Sequence, residues 1–142
     1  MSKLAVIYWS GTGNTEAMAQ AVAEGAREAG ADVSLFSVAE ISAADAAGYD
    51  RLALGCPAMG AEVLEEGEFE PFFEELSANL SGKPVALFGS YGWGDGQGMR
   101  DWDDRTAAAG AVLQGSEGLI CNEMPDDDGL AACRERGRTL AG

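Results

Sequence analysis

Two hydrophobic periods alternate along this chain, and that alternation restricts the architectures open to it. Leu4 to Tyr8 is an unbroken apolar run that ends in turn-forming residues, the pattern of a parallel strand covered on both faces. Over the following residues the period lengthens. Met18, Val22, Gly25 and Ala29 fall on one stripe of an amphipathic helix, and Gly30 stands where a C-terminal cap is expected.

The same strand, loop and helix order then recurs. Residues 32–38 (DVSLFSV) read as a strand, a polar Ala/Asp-rich connection follows, and 51–56 (RLALGC) reads as the next strand. A helix over 69–76 (FEPFFEEL) leads to a strand over 84–90 (PVALFGS) and a helix over about 98–109. Residues 111–115 and 118–122 share a last strand region, divided at Gly115–Gly118 by a bulge or short turn, and a helix over about 128–140 follows. Strands that return parallel need right-handed crossovers, so five of them separated by helices predict a doubly wound α/β domain with a five-stranded parallel sheet. No repeat, low-complexity tract or linker interrupts residues 1–142, which are expected to form a single domain.

Composition narrows the function. Against 24 Asp and Glu stand 9 Lys and Arg, a formal charge of -15. Such a surface repels nucleic acid and anionic lipid and favours partners with basic patches. With 0 His the chain lacks the commonest general base and metal ligand, so hydrolytic chemistry is disfavoured and neither catalytic nor metal-binding residues are expected. Cys56, Cys121 and Cys133 form no C-x-x-C pair and read as small buried hydrophobes of a reducing compartment. The apolar run near the N-terminus is too short for a signal segment or a membrane span, so the expected location is the cytoplasm.

In an open parallel sheet, ligands bind at the carboxyl ends of the strands, where the strand order reverses. Three loops fall there. The first, WSGTGNT, offers sharp turns at Gly11 and Gly13, side-chain donors at Thr12, Asn14 and Thr15, and the positive end of the next helix. An N-capping loop without ligand would use similar residues. The lysine of a nucleoside-triphosphate loop is missing, and Glu16 occupies the place of the third glycine of a dinucleotide fingerprint, so a phosphate monoester held by dipoles and hydroxyls fits best. The second loop, PAMGAEV, supplies a soft, polarizable Met59, a glycine at Gly60 and an acceptor at Glu62 for a ring N–H. The third, SYGWGDG, holds Tyr91 and Trp93 among glycines, where a planar guest could stack. Together they specify an aromatic ring system with a phosphate tail.

At YWSGTGNTE, LGCPAMGAEVLEE, EFEPFFEEL and LFGSYGWGDG, in this order and spacing, the chain resembles the flavodoxins, and among them the short-chain, clostridial-type members. The resemblance runs over nearly the whole sequence. It implies a flavodoxin-like sheet of order 2-1-3-4-5 and a low-potential carrier that binds FMN non-covalently and passes electrons singly through a neutral semiquinone. By motif position, Ser10, Thr12, Asn14 and Thr15, with the amides of Gly11 and Gly13, would hold the phosphate. Met59 would cover the inner face of the flavin and Trp93 the outer face. Gly60 would turn its carbonyl toward flavin N5–H after one-electron reduction, Glu62 would reach N3, and Ser90, Tyr91 and Gly92 would line the other polar edge. Pro57, Ala58, Gly94 and Asp95 complete the implied cofactor set. Pro57 stands where certain relatives have a serine that adds a phosphate contact, and Ala61 where relatives often carry Asp or Ser.

The missing lysine then has a meaning: a cation beside the phosphate would stabilise reduced, anionic flavin, and leaving it out lowers the potential. At ~4 Å and an effective dielectric of ~20 one like charge opposes reduction by about 4 kcal/mol. Between Leu52 and Gly82 lie seven Glu and no Lys or Arg. Glu70, Glu74 and Glu75 read as a solvated helix face. The acids near Gly60 and Trp93, with Asp95, Asp101, Asp103, Asp104 and Asp126 to Asp128, read as a docking surface for basic redox proteins such as ferredoxin-type reductases and acceptors, approached by a monomer. The alternative function is an FMN-dependent quinone reductase-like enzyme, for which no second pocket is evident. A response-regulator receiver would need an Asp where Cys56 ends its strand and an acidic pair where Trp9-Ser10 stands.

Overall fold

The computed structural model describes residues 3–9, 13–56, 68–91, 97–113, 119–122 and 126–141. Strand β1 (Lys3–Tyr8) leads into helix α1 (Asn14–Glu28), followed by β2 (Asp32–Ser37), α2 (Ala43–Ala47), β3 (Arg51–Gly55) and α3 (Phe69–Ser77). Strand β4 (Pro84–Tyr91), α4 (Gln97–Ala108), β5 (Val112–Leu113), β6 (Leu119–Asn122) and α5 (Asp127–Ala141) complete the order. The strands are parallel and lie in the order β2-β1-β3-β4-β5, as expected of a flavodoxin-like sheet. The fifth position is shared by two segments: β5 pairs with the start of β4 (Pro84↔Val112) and β6 with its end (Tyr91↔Asn122). The expected bulge at Gly115–Gly118 lies outside the described residues.

The central strands explain their continuous apolar runs, because each residue finds a core on its own face. Leu4 and Val6 of β1, with Ala53, Ala86 and Phe88, pack under Met18, Val22 and Ala26 of α1 and Cys133 and Leu140 of α5. Ala5 and Ile7, with Leu52, Leu54, Val85 and Leu87, pack under Phe69, Phe73 and Leu76 of α3 and Met99 and Trp102 of α4. Each such Leu, Ile, Val, Phe or Met side chain contributes about 1.5–3 kcal/mol by leaving water. Cys56 and Cys133 are buried members of these two clusters, as small hydrophobes would be.

Helices α1 and α5 touch through glycines. An added Cβ on Gly25 would sit 1.9 Å from the Arg134 carbonyl oxygen, and one on Gly137 would sit 2.0 Å from that of Val22. The α1 stripe therefore ends at Ala26. Ala29 is exposed as the C-cap residue, and Gly30, at φ +96, donates its N–H to the Arg27 carbonyl at 3.0 Å.

The polar connection expected between β2 and β3 holds more structure than its composition suggests. A 3-10 turn, Val38–Glu40, is closed by a capping box in which the Ser37 N–H donates to Glu40 at 2.7 Å. Ser42 then caps α2 by accepting the Asp45 N–H at 3.1 Å, and this turns Ala43 and Ala46 into the core.

Glu70 is also more than a solvated face. Both its carboxylate oxygens accept from Arg105 of α4 at 2.6 Å, while that guanidinium lies 4.9 Å from the Phe73 ring centroid. Phe69 and Phe73 meet Trp102 edge-on, at 5.5 and 5.8 Å between ring centroids, so α3 and α4 are locked together. Asp103, expected at the surface, is buried.

The cations of the strand starts gather at the opposite, amino end of the sheet. Lys3 opens β1, Arg51 opens β3 and donates to the Leu140 carbonyl at 2.7 Å, and Lys83, just before β4, donates to the carbonyls of Ala47 and Tyr49 behind α2. Among the described residues no helix is long and apolar enough to cross a membrane.

Candidate functional site

The order β2-β1-β3-β4-β5 reverses direction between β1 and β3, so a crevice opens at their carboxyl ends. Trp9 follows β1 and donates its backbone N–H to the Gly55 carbonyl at 2.9 Å; Cys56, one residue beyond β3, donates to the Phe88 carbonyl at 3.1 Å. These two bonds extend the sheet past the last paired residues and bring the starts of all three expected ligand loops side by side. Gly89 allows the close approach of β3 and β4: a Cβ there would lie 2.1 Å from the Cys56 carbonyl oxygen. Ser90 and Tyr91 form the end of β4, paired in register with Cys121 and Asn122 of β6.

At the end of the first loop, Gly13 is the N-cap of α1 and adopts φ 92, ψ -7, a left-handed conformation that favours glycine. It has no side chain with which to cap the helix, and no side-chain cap bond is made there. The positive end of α1 therefore faces the crevice, with Asn14 in its first turn and Thr15 buried at 1% exposure beside it. An L side chain on Gly13 would meet nothing within 4 Å among the described residues. Such a donor set suits a phosphate monoester.

Behind the loop, the Tyr8 hydroxyl donates to Glu16 at 3.2 Å, bridging β1 and the first turn of α1. Burial, reinforced by the Glu16 carboxylate, raises the Tyr8 phenol above its ordinary pKa. On the other side of the crevice the Trp9 indole N–H donates to Glu68 at 3.3 Å. Glu68 is the N-cap of α3, yet its side chain makes no cap bond to the helix.

The family model described as flavodoxin matches residues 6–137. The chain belongs to the flavodoxin family. The flavodoxin of Clostridium beijerinckii is 49% identical over 136 residues, covering 96% of this chain and 97% of that protein. The flavodoxin of Megasphaera elsdenii is 48% identical over 136 residues, covering 96% of each. The solution structure of two-electron reduced Megasphaera elsdenii flavodoxin superimposes with a TM-score of 0.88 at 47% identity, over 97% of this chain and 98% of that one.

Family membership agrees with the expectation from the sequence: this flavodoxin is a carrier that binds FMN and transfers electrons, and the quinone-reductase alternative is not favoured. In the described part of the crevice, the helix end with a left-handed glycine at its N-cap and Asn14 and Thr15 in its first turn has donors of the kind that a phosphate needs. Of the expected site residues, Gly13, Asn14 and Thr15 stand together at this helix end, and Ser90 and Tyr91 at the end of β4. Ser10, Gly11, Thr12, Pro57, Ala58, Met59, Gly60, Glu62, Gly92, Trp93, Gly94 and Asp95 lie outside the described residues, as does Ala61. Trp9, Glu68 and Gly89 were not singled out as site residues by sequence. Trp9 and Glu68 flank the expected loops and are joined by a 3.3 Å hydrogen bond.

Proposed function

We propose that residues 1–142 form one FMN-binding unit in which the loop 10–15 holds the phosphate, Met59 and Trp93 cover the two ring faces, and Glu62, Ser90, Tyr91 and Gly92 meet the ring's polar edges. FMN supplies the redox chemistry, accepting and releasing electrons one at a time. The chain's own part is to bind, orient and tune. Gly13 and the α1 amides orient the phosphate without a compensating cation; Met59 and Trp93 exclude water from the ring; and Gly60 offers its carbonyl to the proton at N5. Pro57, Ala58, Gly94 and Asp95 shape the rims of the two ring loops. The observation that carries this assignment is the left-handed Gly13 cap of α1, set beside the carboxyl ends of β1 and β3.

The partners in this reading are redox proteins with basic docking patches, including ferredoxin-type reductases and acceptors, met in the cytoplasm by a monomeric carrier. The surplus of acids over bases supports it, giving long-range attraction to cationic surfaces. Titrating FMN with apoprotein tests the assignment: quenching of flavin fluorescence to a one-to-one end point is expected, and unquenched flavin would falsify it. Size-exclusion chromatography of the holoprotein is expected to give a single species near the monomer mass of 14.7 kDa.

A further inference from the structure

Trp9 ties the end of β3 to the start of α3. Gly55, two residues before the segment 57–67, accepts the backbone N–H of Trp9 at 2.9 Å, and Cys56 between them donates to the Phe88 carbonyl at 3.1 Å. Glu68, directly after that segment, accepts the indole N–H of the same Trp9 through its carboxylate at 3.3 Å. Trp9 in turn directly precedes the phosphate loop 10–15 and packs against the cluster that contains Cys56, Phe69 and Trp102. Glu68 occupies the N-cap position of α3 without capping it, with φ -126 and ψ -46, so its carboxylate serves Trp9 instead of the helix end it adjoins.

We propose that Trp9 and Glu68 are positioning residues: their bond ties the start of α3 to the end of β1 and so fixes the two ends between which the segment carrying Met59, Gly60 and Glu62 runs. This rests on the assignment of those loops to FMN given above. A loop pinned at both feet has fewer conformations to lose when the ring binds, so the bond acts through pre-organisation. Neither side chain needs to touch the flavin. The carboxylate acts here as a hydrogen-bond acceptor, which separates its role from that of the surrounding acids, whose charge alone disfavours reduced flavin.

The test compares W9F, which keeps an aromatic ring and removes the donor, with E68A, E68Q and W9F/E68A. FMN and riboflavin dissociation constants are measured by fluorescence, the long-wavelength absorption band is measured at half-reduction, and apoprotein melting is recorded separately. W9F and E68A are each expected to weaken both flavins about three- to tenfold and to diminish the half-reduction band. The double variant is expected to be no worse than either single change, because both remove the same bond. E68Q, which retains an acceptor, is expected to bind nearly as the parent does.

Parent-like affinities and band in W9F and E68A, even with a lowered melting temperature, would overturn the inference. So would additive losses, or an E68Q that falls as far as E68A, since charge and not the bond would then be responsible. If W9F does not fold, the E68A and E68Q pair, altered at an exposed side chain, reads the same bond. A parent chain that fails to quench FMN overturns the functional assignment itself, whereas unchanged variants of a binding parent overturn this inference alone.

Discussion

Gly25 of α1 and Gly137 of α5 each lie against the opposite helix's backbone, at the Arg134 and Val22 carbonyl oxygens respectively. A methyl group at either position would lie within 2.0 Å of an atom that cannot rotate away. Gly25→Ala and Gly137→Ala are each expected to lower stability by at least about 1–3 kcal/mol, read as a lower urea midpoint. Because α1 carries Gly13, the same changes are expected to weaken FMN binding through that helix.

Gly89→Ala strikes closer to the crevice. Its Cβ would meet the Cys56 carbonyl at 2.1 Å and Met99 at 3.6 Å, forcing β3 and β4 apart at the ends that carry two ligand loops. A loss of about 1–3 kcal/mol in stability is expected, with a larger proportional loss of flavin affinity than in a variant equally destabilised at the amino end of the sheet. Titration calorimetry with FMN at matched folded fractions checks this.

Asn14, assigned to the phosphate in the proposed site, gives a variant that distinguishes phosphate binding from ring binding. Asn14→Ala is expected to weaken FMN about three- to tenfold, as for one hydrogen bond, while leaving riboflavin, which has no phosphate, within about twofold. Equal losses for both ligands would place Asn14 outside the phosphate site.

Tyr8 links the fold to alkaline pH. Its phenol is shielded by burial and bonded to Glu16, so the folded state binds the phenolic proton more tightly than the unfolded chain does. The contribution is complete below the ordinary tyrosine pKa of 10.0 and is lost as pH rises through the higher folded value. Wild-type stability is expected to fall more steeply than that of Tyr8→Phe above about pH 10, measured by urea unfolding across that range.

Exchange with a basic partner is expected to be salt-dependent. The bimolecular rate constant for electron transfer, followed by stopped flow, is expected to fall at least about tenfold between 0.01 and 0.2 M ionic strength. A flat profile would remove the acidic surface from partner recognition.

What the chain disclosed from its order of residues, and what it withheld, follows from range. Strands buried on both faces must be apolar without a break, which made β1, β3 and β4 readable. The turn at Gly13 and the helix start at Asn14 were readable because a left-handed turn and a helix start are local requirements. Helix α2 was missed because its Asp and Ala content resembles a loop, and its stability comes from the Ser42 cap and from two buried alanines. The Glu70–Arg105 pair joins helices 35 residues apart, and Trp9–Glu68 spans 59. Hydrophobic periodicity marks which face of a helix is buried but carries no record of which polar group will lie opposite.

The distribution of charge along the strands has one more effect. Lys3, Arg51 and Lys83 sit at the amino end with Arg27 in the last turn of α1, whereas Glu16, Asp127 and Asp128 occupy first helical turns at the carboxyl end. These seven charges therefore contribute an electric dipole moment along the strand direction. In the field of a cationic protein that contribution would exert a torque turning the crevice toward the partner before the two surfaces touch, so that fewer encounters would be wasted on the wrong face.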